Sequence, residues 1–583
     1  SRLPSVSFRP TGSSIKAPHF VMYVRDWLND RFGEEVVSNG GLKVTTSLDW
    51  ALQDKAQQIV SEEIEKVAAV YHITNGASLI VDAQTGEILS MVGSRGFFDK
   101  DHDGQVNVTL SQRQPGSSIK PVTYATAFEK GIWLGKVLAD VVTDFPSGDS
   151  DKPYAPEDYD GKEHGLVHLR DALGSSLNIP AVKLLAQIGL KDMLSMAARL
   201  GISSLEPSSE NIKRFGLSVT LGGGEVSLLQ MTSAYAAFAN GGMKIEPVAV
   251  LKVEDRDGKA LYENKPSAKK RVLDEKVAFL IDSVLSDNKA RLISFGPNSL
   301  LNIGGRNVAV KTGTTNDQRD NWAVGWTKKV VIGVWVGNND NSEMKRVASG
   351  VSGASPIWRR QMLEALSRFG DPAFDPPAGV EQVDLDLVSG YPAHDGWPSY
   401  KEWVIKGSLP SENDPIHKVV PLCPGDPTKL ANSVQIQDSN FQKGEFIIVH
   451  ENDPLTGDNL WQKAIDGWIG KQNDSRYHPP TSVCGDTNSV GIQILEPGNN
   501  SRIDSNEVKI RVSVASDQSI EWVDLYLDGN KEARWEKPPY EQMFTLDIGV
   551  HEIRVRARNS VGIENETSVN IGVKVEVNPT PTP

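Results

Sequence analysis

Only two cysteines, Cys423 and Cys484, occur in 583 residues, which excludes a disulfide-dense scaffold. They lie in the irregular stretches VVPLCPGDP and PTSVCGDTN. A bridge between them would contribute about 4 kcal/mol in an oxidising compartment by the chain-entropy relation. Two free thiols stay equally open, because sequence does not fix pairing. No run of roughly 18 apolar residues is present, so no helix of this chain is expected to span a bilayer. Basic residues are in deficit: 61 Lys and Arg against 75 Asp and Glu give a formal net charge of −14. That balance disfavours nucleic acid as a partner. Surface or core roles are expected for the ten histidines, and neither a metal nor a cofactor is expected. The chain starts at Ser1 without the basic and apolar segments of a signal peptide, which reads as a mature or excised fragment whose anchor lies elsewhere.

With 39% hydrophobic and 23% charged residues the composition is that of a folded protein, and the length predicts two to four domains. Residues 16–37 place apolar side chains at helical spacing up to Gly40 and Gly41, and LKVTTSLD alternates as a strand. Asp49 is placed to cap the helix WALQDKAQQIVSEEIEKVAAVY. From residue 77, ASLIVDAQTGEILSMVGS reads as a hairpin about Gln-Thr-Gly. Helical patterns follow near 117–130, 167–175, 180–200 and 228–240; strand patterns resume after 300 in NVAVKTGTTND, NWAVGWT and KVVIGVWVGN. Strands, then helices, then strands predict an α+β domain whose first and last strands join in one antiparallel sheet with helices packed on it. The expected organisation is a linker subdomain over 1–70, this α+β domain over 71–370, an irregular β-rich extension over 371–486, an immunoglobulin-like β-sandwich over 487–576 and a Pro-Thr tail over 577–583.

The string GSSIK occurs twice, and each copy sets a serine three residues ahead of a lysine, at Ser13 and at Ser117. Alone the pattern is cheap, since Ser267, Ser286 and Ser342 share it. Ser13 sits in a Pro-flanked polar stretch without rigid support. Ser117 follows the breaker Pro115-Gly116 and opens an apolar helical run, where backbone N–H groups and the helix dipole favour a developing oxyanion. Lys120 lies one turn on, on the same face. Pro121 removes the helical donor that would serve the Ser117 carbonyl. Two strings complete a site: Ser176 and Asn178 in GSSLNIPAV, and Lys311, Thr312, Gly313 and Thr314 in VAVKTGTTND. Ser-x-Asn recurs at Ser209, Ser286 and Ser411, but Lys-Thr-Gly occurs once. Ser-x-x-Lys, Ser-x-Asn and Lys-Thr-Gly in this order form the joint signature of β-lactamases and penicillin-binding proteins.

RQPGSSIKPVTYATAFEKG, ALGSSLNIPAVKL, LGGGEVSLLQMTSAYAAFANGG and VKTGTTNDQRDNWAVGWT closely resemble the transpeptidase domain of class A, bifunctional penicillin-binding proteins. KAPHFVMYVRDWL and GGLKVTTSLDWALQ resemble the linker that precedes that domain, and LVSGYPAHDGWPSYKEWVIKGSLPSENDPIH is similar to the family's C-terminal extension. No glycosyltransferase segment is recognised, so polymerising activity is not assigned to these residues. The resemblance implies a peptidoglycan D,D-transpeptidase outside the cytoplasm, acting on stem peptides that end in D-Ala-D-Ala and acylated by β-lactams. It implies Ser117 as nucleophile, Lys120 as its base, Ser176 as proton relay and Asn178 as the holder of Lys120 and the substrate amide. Lys311 would lower the proton affinity of Lys120; Lys311, Thr312 and Thr314 would bind the terminal carboxylate, and the Ser117 and Thr314 N–H groups would form the oxyanion hole. Cell-wall, divisome or elongation proteins are the partners expected of the sandwich.

A D,D-carboxypeptidase, a β-lactam hydrolase and a non-catalytic β-lactam sensor or wall-binding module are the alternatives on the same fold. Asp99, Asp101, Asp103 and Gly104 imitate the start of a calcium loop, but Leu110 stands where a bidentate glutamate belongs, so a polar loop is expected. Trp322 and Trp326 are expected in the core.

Overall fold

The computed structural model describes residues 15–147, 152–265, 269–345 and 352–577. The chain forms two compact units. One runs to Asp414 and takes in His450–Trp468; the other comprises Pro415–Val449 and the chain from Ile469 onward.

The first unit is built on a five-stranded antiparallel sheet. Its spatial order is Ala309–Thr314, Asp320–Trp326, Val330–Gly337, Asn75–Asp82, Ile88–Val92. The last of the late strands thus pairs with the first of the early ones, with Val330 opposite Asp82 and Gly337 opposite Asn75. Side chains alternate between two cores, as a period of two dictates. Ala77, Leu79, Val81, Val331 and Trp335 enter one; Ile80, Val330, Ile332, Val334 and Val336 enter the other. Because both faces are covered, these strands read as nearly unbroken apolar runs rather than as polar alternation.

The first core is closed by helices Lys120–Glu129, Asn178–Ile188, Leu190–Leu200, Leu228–Ala239 and Glu275–Leu285. The run expected as one helix over 180–200 is broken at Gly189, whose φ of 90° ends one helix and starts the next. Leu228–Ala239 opens on a capping box in which Ser227 and Gln230 satisfy each other's backbone N–H groups. The second core is closed by Trp50–Tyr71 and Ala354–Phe369. Asp49 caps the former through Leu52 N at 3.0 Å. Leu52, Ala56, Ile59, Val60 and Ile64 of that helix are buried against the sheet, so the segment expected as a separate linker shares its core.

Residues 450–468 return to the first unit for a specific reason. Glu451 accepts from the buried Lys183 amine at 2.7 Å and from Ala139 N at 2.6 Å, and Trp461 packs fully buried against Phe145 and Val182. Among the described residues no helix is long and apolar enough to cross a membrane.

The second unit contains a disulfide between Cys423 and Cys484, with Cα atoms 5.9 Å apart. Beside a three-stranded sheet ordered Asp426–Leu430, His417–Cys423, Gln442–Ile447, it holds two further sheets among the described residues, one ordered Gly491–Glu496, Glu507–Ala515, Tyr540–Thr545 and a larger one of five strands centred on Gly549–Asn559. Val508, Ile510 and Val512 of the first face Val523, Leu525, Ile553, Val555 and Ile571 of the second in one core. This is a β-sandwich in which inward and outward residues alternate. The Pro-Thr tail from 578 lies outside the described residues.

Candidate active site

Ser117 lies in a 3₁₀ turn, Gly116–Ile119, that runs directly into the helix Lys120–Glu129. The tighter turn answers the question raised by Pro121. Lys120 N–H donates to the Ser117 carbonyl, which therefore keeps a partner that a regular helix would have lost. Gly116 has φ 53°, and a Cβ placed there would lie 2.6 Å from Thr314 O and 2.8 Å from Thr314 N. At Gly313 an added Cβ would meet Pro115 O at 2.2 Å and Ser118 N at 2.7 Å. The strand Ala309–Thr314 thus reaches the serine turn only because both contacts are backbone to backbone.

Lys120 is fully buried. Its Nζ donates to Ser176 O at 2.6 Å, Leu177 O at 2.8 Å and Asn178 Oδ1 at 2.7 Å. Three acceptors match the three donors of an ammonium. Burial pulls its pKa down to about 7, while the Asp158 and Asp140 carboxylates work in the opposite direction. Ser176 holds φ 63°, a left-handed conformation that is uncommon outside glycine and turns its carbonyl to Lys120. Asn178 begins the helix Asn178–Ile188; its N–H donates to Asp158 Oδ1 and its Nδ2 to Glu157 O at 2.6 Å.

Lys311 is buried in the edge strand Ala309–Thr314 and donates to Ser176 Oγ at 2.7 Å and Thr312 O at 2.8 Å. Its pKa lies well below the usual lysine value, through burial first, then the positive charges of Lys120 and Arg291. Ser117, Ser176, Asn178, Thr312, Gly313 and Thr314 line one cleft of about 510 Å³, with Lys120 and Lys311 beneath it. A larger cavity of about 650 Å³ lies at Arg170, Phe279 and Trp403 and is lined by Ser286 and Lys289, but Ser286 donates its hydroxyl to Asp282 O at 2.7 Å and no residue of the Lys-Thr-Gly strand lines it, so the chemistry favours the smaller cleft.

The fold therefore brings together all eight residues expected at the site. Ser13 and Ser267 lie outside the described residues. Trp322 and Trp326 are fully buried and donate to Gln114 O and Asp282 Oδ1, away from the cleft. Asp99 commits its carboxylate to Arg95 at 2.7 Å and His102 at 2.9 Å. Sequence reasoning missed Asp158, Asp140 and His164, of which one ligating atom each lies within 4.8 Å of the others. Nothing in their spacing marks them.

Residues 76–362 match the family Transpeptidase, described as the penicillin binding protein transpeptidase domain. Penicillin-binding protein 2D of Bacillus subtilis is 32% identical over 421 residues, covering 70% of this chain and 58% of the relative. Penicillin-binding protein 1A of Aquifex aeolicus is 32% identical over 341 residues, covering 58% of this chain and 44% of the relative. The chain thus spans about half the length of the curated relatives it matches. Among solved structures, penicillin-binding protein 1A from Haemophilus influenzae superposes with a TM-score of 0.59 at 22% identity, covering 69% of this chain and 77% of that one. PonA1 from Mycobacterium tuberculosis in complex with penicillin V gives 0.53 at 23% identity, covering 66% of this chain and 100% of that one.

Proposed function

The chain carries a penicillin-binding protein transpeptidase domain over residues 76–362, and on that premise we propose that it is a D,D-transpeptidase that cross-links peptidoglycan stem peptides through an acyl-serine. The observation that carries this reading is the interlocked set Lys120–Asn178 and Lys311–Ser176, each closed at 2.7 Å, on the wall of a cleft that exposes Ser117.

Ser117 Oγ attacks the carbonyl of the penultimate D-alanine, and its proton passes to the neutral form of Lys120, which near neutral pH is well populated. The oxyanion is held by the N–H groups of Ser117 and Thr314. As the tetrahedral intermediate collapses, the C–N bond breaks, and Ser176 relays a proton from Lys120 to the departing amine of D-alanine. The amine of a second stem peptide then takes the acyl group and returns a proton through the same residues. Lys311, Thr312 and Thr314 bind the terminal carboxylate, whose arrival beside Lys311 favours the charged amine. Ala309–Thr314 is the outer strand of its sheet, which lets an extended peptide pair with it by strand addition. A β-lactam acylates Ser117 by the same attack, the opened ring retaining the leaving nitrogen. The reaction takes place outside the cytoplasm.

Labelling with a fluorescent penicillin followed by peptide mapping tests the nucleophile: the adduct is expected on Ser117, and an adduct elsewhere overturns the assignment. Mass spectrometry with a stem peptide and an amine acceptor tests the reaction. Release of D-alanine without a joined product would replace cross-linking by hydrolysis.

A further inference from the structure

Lys120 and Lys311 are both buried, yet their surroundings differ in sign. The charges facing Lys311 are those of Lys120 and Arg291, whereas those facing Lys120 are the carboxylates of Asp158 and Asp140. These two aspartates come from distant places. Asp140 ends the strand Val137–Asp140, and Asp158 lies in the loop YAPEDYDG that forms one wall of the cleft. Their side chains are 0% and 1% exposed. His164 joins them, its Nδ1 2.6 Å from Asp140 Oδ2 and 3.7 Å from Asp158 Oδ2.

We propose that the buried Asp140–Asp158–His164 cluster is a positioning device for acylation: it anchors the Asn178 end of the Lys120–Asn178 contact and presents carboxylate charge to the Lys120 amine. The inference rests on the transpeptidase reading above and adds residues outside the three sequence motifs.

Three observations support it. Asp158 Oδ1 accepts from Asn178 N–H while the neighbouring Glu157 carbonyl accepts from Asn178 Nδ2, so one short stretch holds both ends of the asparagine that touches Lys120. Asp140 Oδ1 and Asp158 Oδ2 are buried without a hydrogen-bond partner among the described residues, a cost that the fold carries at this place beside Lys120. Burial and the Asp158 charge push Asp140 up to about 7, with His164 pulling the other way. The remaining groups in reach are Tyr124, whose neutral phenol both aspartates favour, and Asp160, 3.3 Å from His164 Nε2. The cluster thereby keeps a fully buried lysine titrating near neutral pH, able to take a proton from serine and to release it again.

The test is the pH profile of the second-order rate of Ser117 acylation by a fluorescent penicillin, in the full chain and its variants. Asp158→Asn keeps an oxygen for Asn178 N–H but removes charge, so the acidic limb is expected to move to lower pH by about one pH unit, with the plateau changed less than about tenfold. Asp140→Asn, which leaves the Asn178 anchor intact, is expected to move the limb in the same direction. Asp158→Ala loses anchor and charge, and its plateau is expected to fall by more than about tenfold. A limb that stays in place in both asparagine variants, or moves to higher pH, overturns the inference while leaving the transpeptidase reading intact. So does a wild-type rate that changes more than about twofold on treatment with a chelator, since a cation would then lie between the carboxylates. Failure of the wild-type chain to be acylated at Ser117 overturns the functional reading and the inference with it.

Discussion

Lys311 Nζ lies 2.7 Å from Ser176 Oγ, although 135 positions separate the two residues in the chain. The contact joins the sheet-edge strand to the loop before the helix Asn178–Ile188, and so joins two of the three motifs into one wall. Lys311→Ala removes the amine proposed to bind the terminal carboxylate. The acylation rate constant is expected to fall about 100-fold or more. Stopped-flow acylation with a penicillin reads this directly, and an unchanged rate would remove Lys311 from the site.

Acylation is expected to rise with pH through about 7 and then level off, because Lys120 accepts a proton only in its neutral form and is protonated below that value. Lys120→Arg keeps the positive charge at every accessible pH, so the rise should vanish together with acylation. A rate independent of pH between 5 and 9, values of the order commonly scanned for such titrations, would assign the base to another group.

Gly313→Ala is expected to disable the site without touching any reactive atom. Its methyl group would meet Pro115 O at 2.2 Å and Ser118 N at 2.7 Å, so the strand must move away from the serine turn. Overpacking of this kind costs about 1–3 kcal/mol. Thermal unfolding should show the loss of stability, and penicillin labelling of the folded fraction should fall. Full labelling at an unchanged melting temperature would mean the strand can shift freely.

Glu451→Gln leaves the fully buried Lys183 amine without its carboxylate. Removing one partner of a buried pair costs about 3–5 kcal/mol, whereas replacing both by apolar residues is nearly neutral. Glu451→Gln should therefore unfold at lower temperature and expose residues 450–468 to limited proteolysis, and Lys183→Met combined with Glu451→Leu should recover most of the loss. Equal destabilisation by the single and double variants would show that the pair contributes nothing specific.

The three motifs, the helix start at Ser117 and the strands around the site were legible because each is a local pattern: apolar periodicity sets the element, and Ser-x-x-Lys, Ser-x-Asn and Lys-Thr-Gly sit at element ends where side chains reach a cleft. The 3₁₀ turn that rescues the Ser117 carbonyl was not legible, because the pattern of apolar residues does not separate it from a helix start. Gly313 read as a member of the Lys-Thr-Gly motif, while the structure shows the additional demand of close strand-to-turn contact.

The amino-acid order alone determined which residues are candidates for the proposed chemistry, since serine, lysines and glycine are picked out by type and spacing. Tertiary structure decided their surroundings. It paired Cys423 with Cys484, brought Glu451 to Lys183, and placed Asp140, Asp158 and His164 behind Lys120. Those contacts follow from how strands and helices pack across long stretches of chain, and a pattern confined to neighbouring positions holds no record of them.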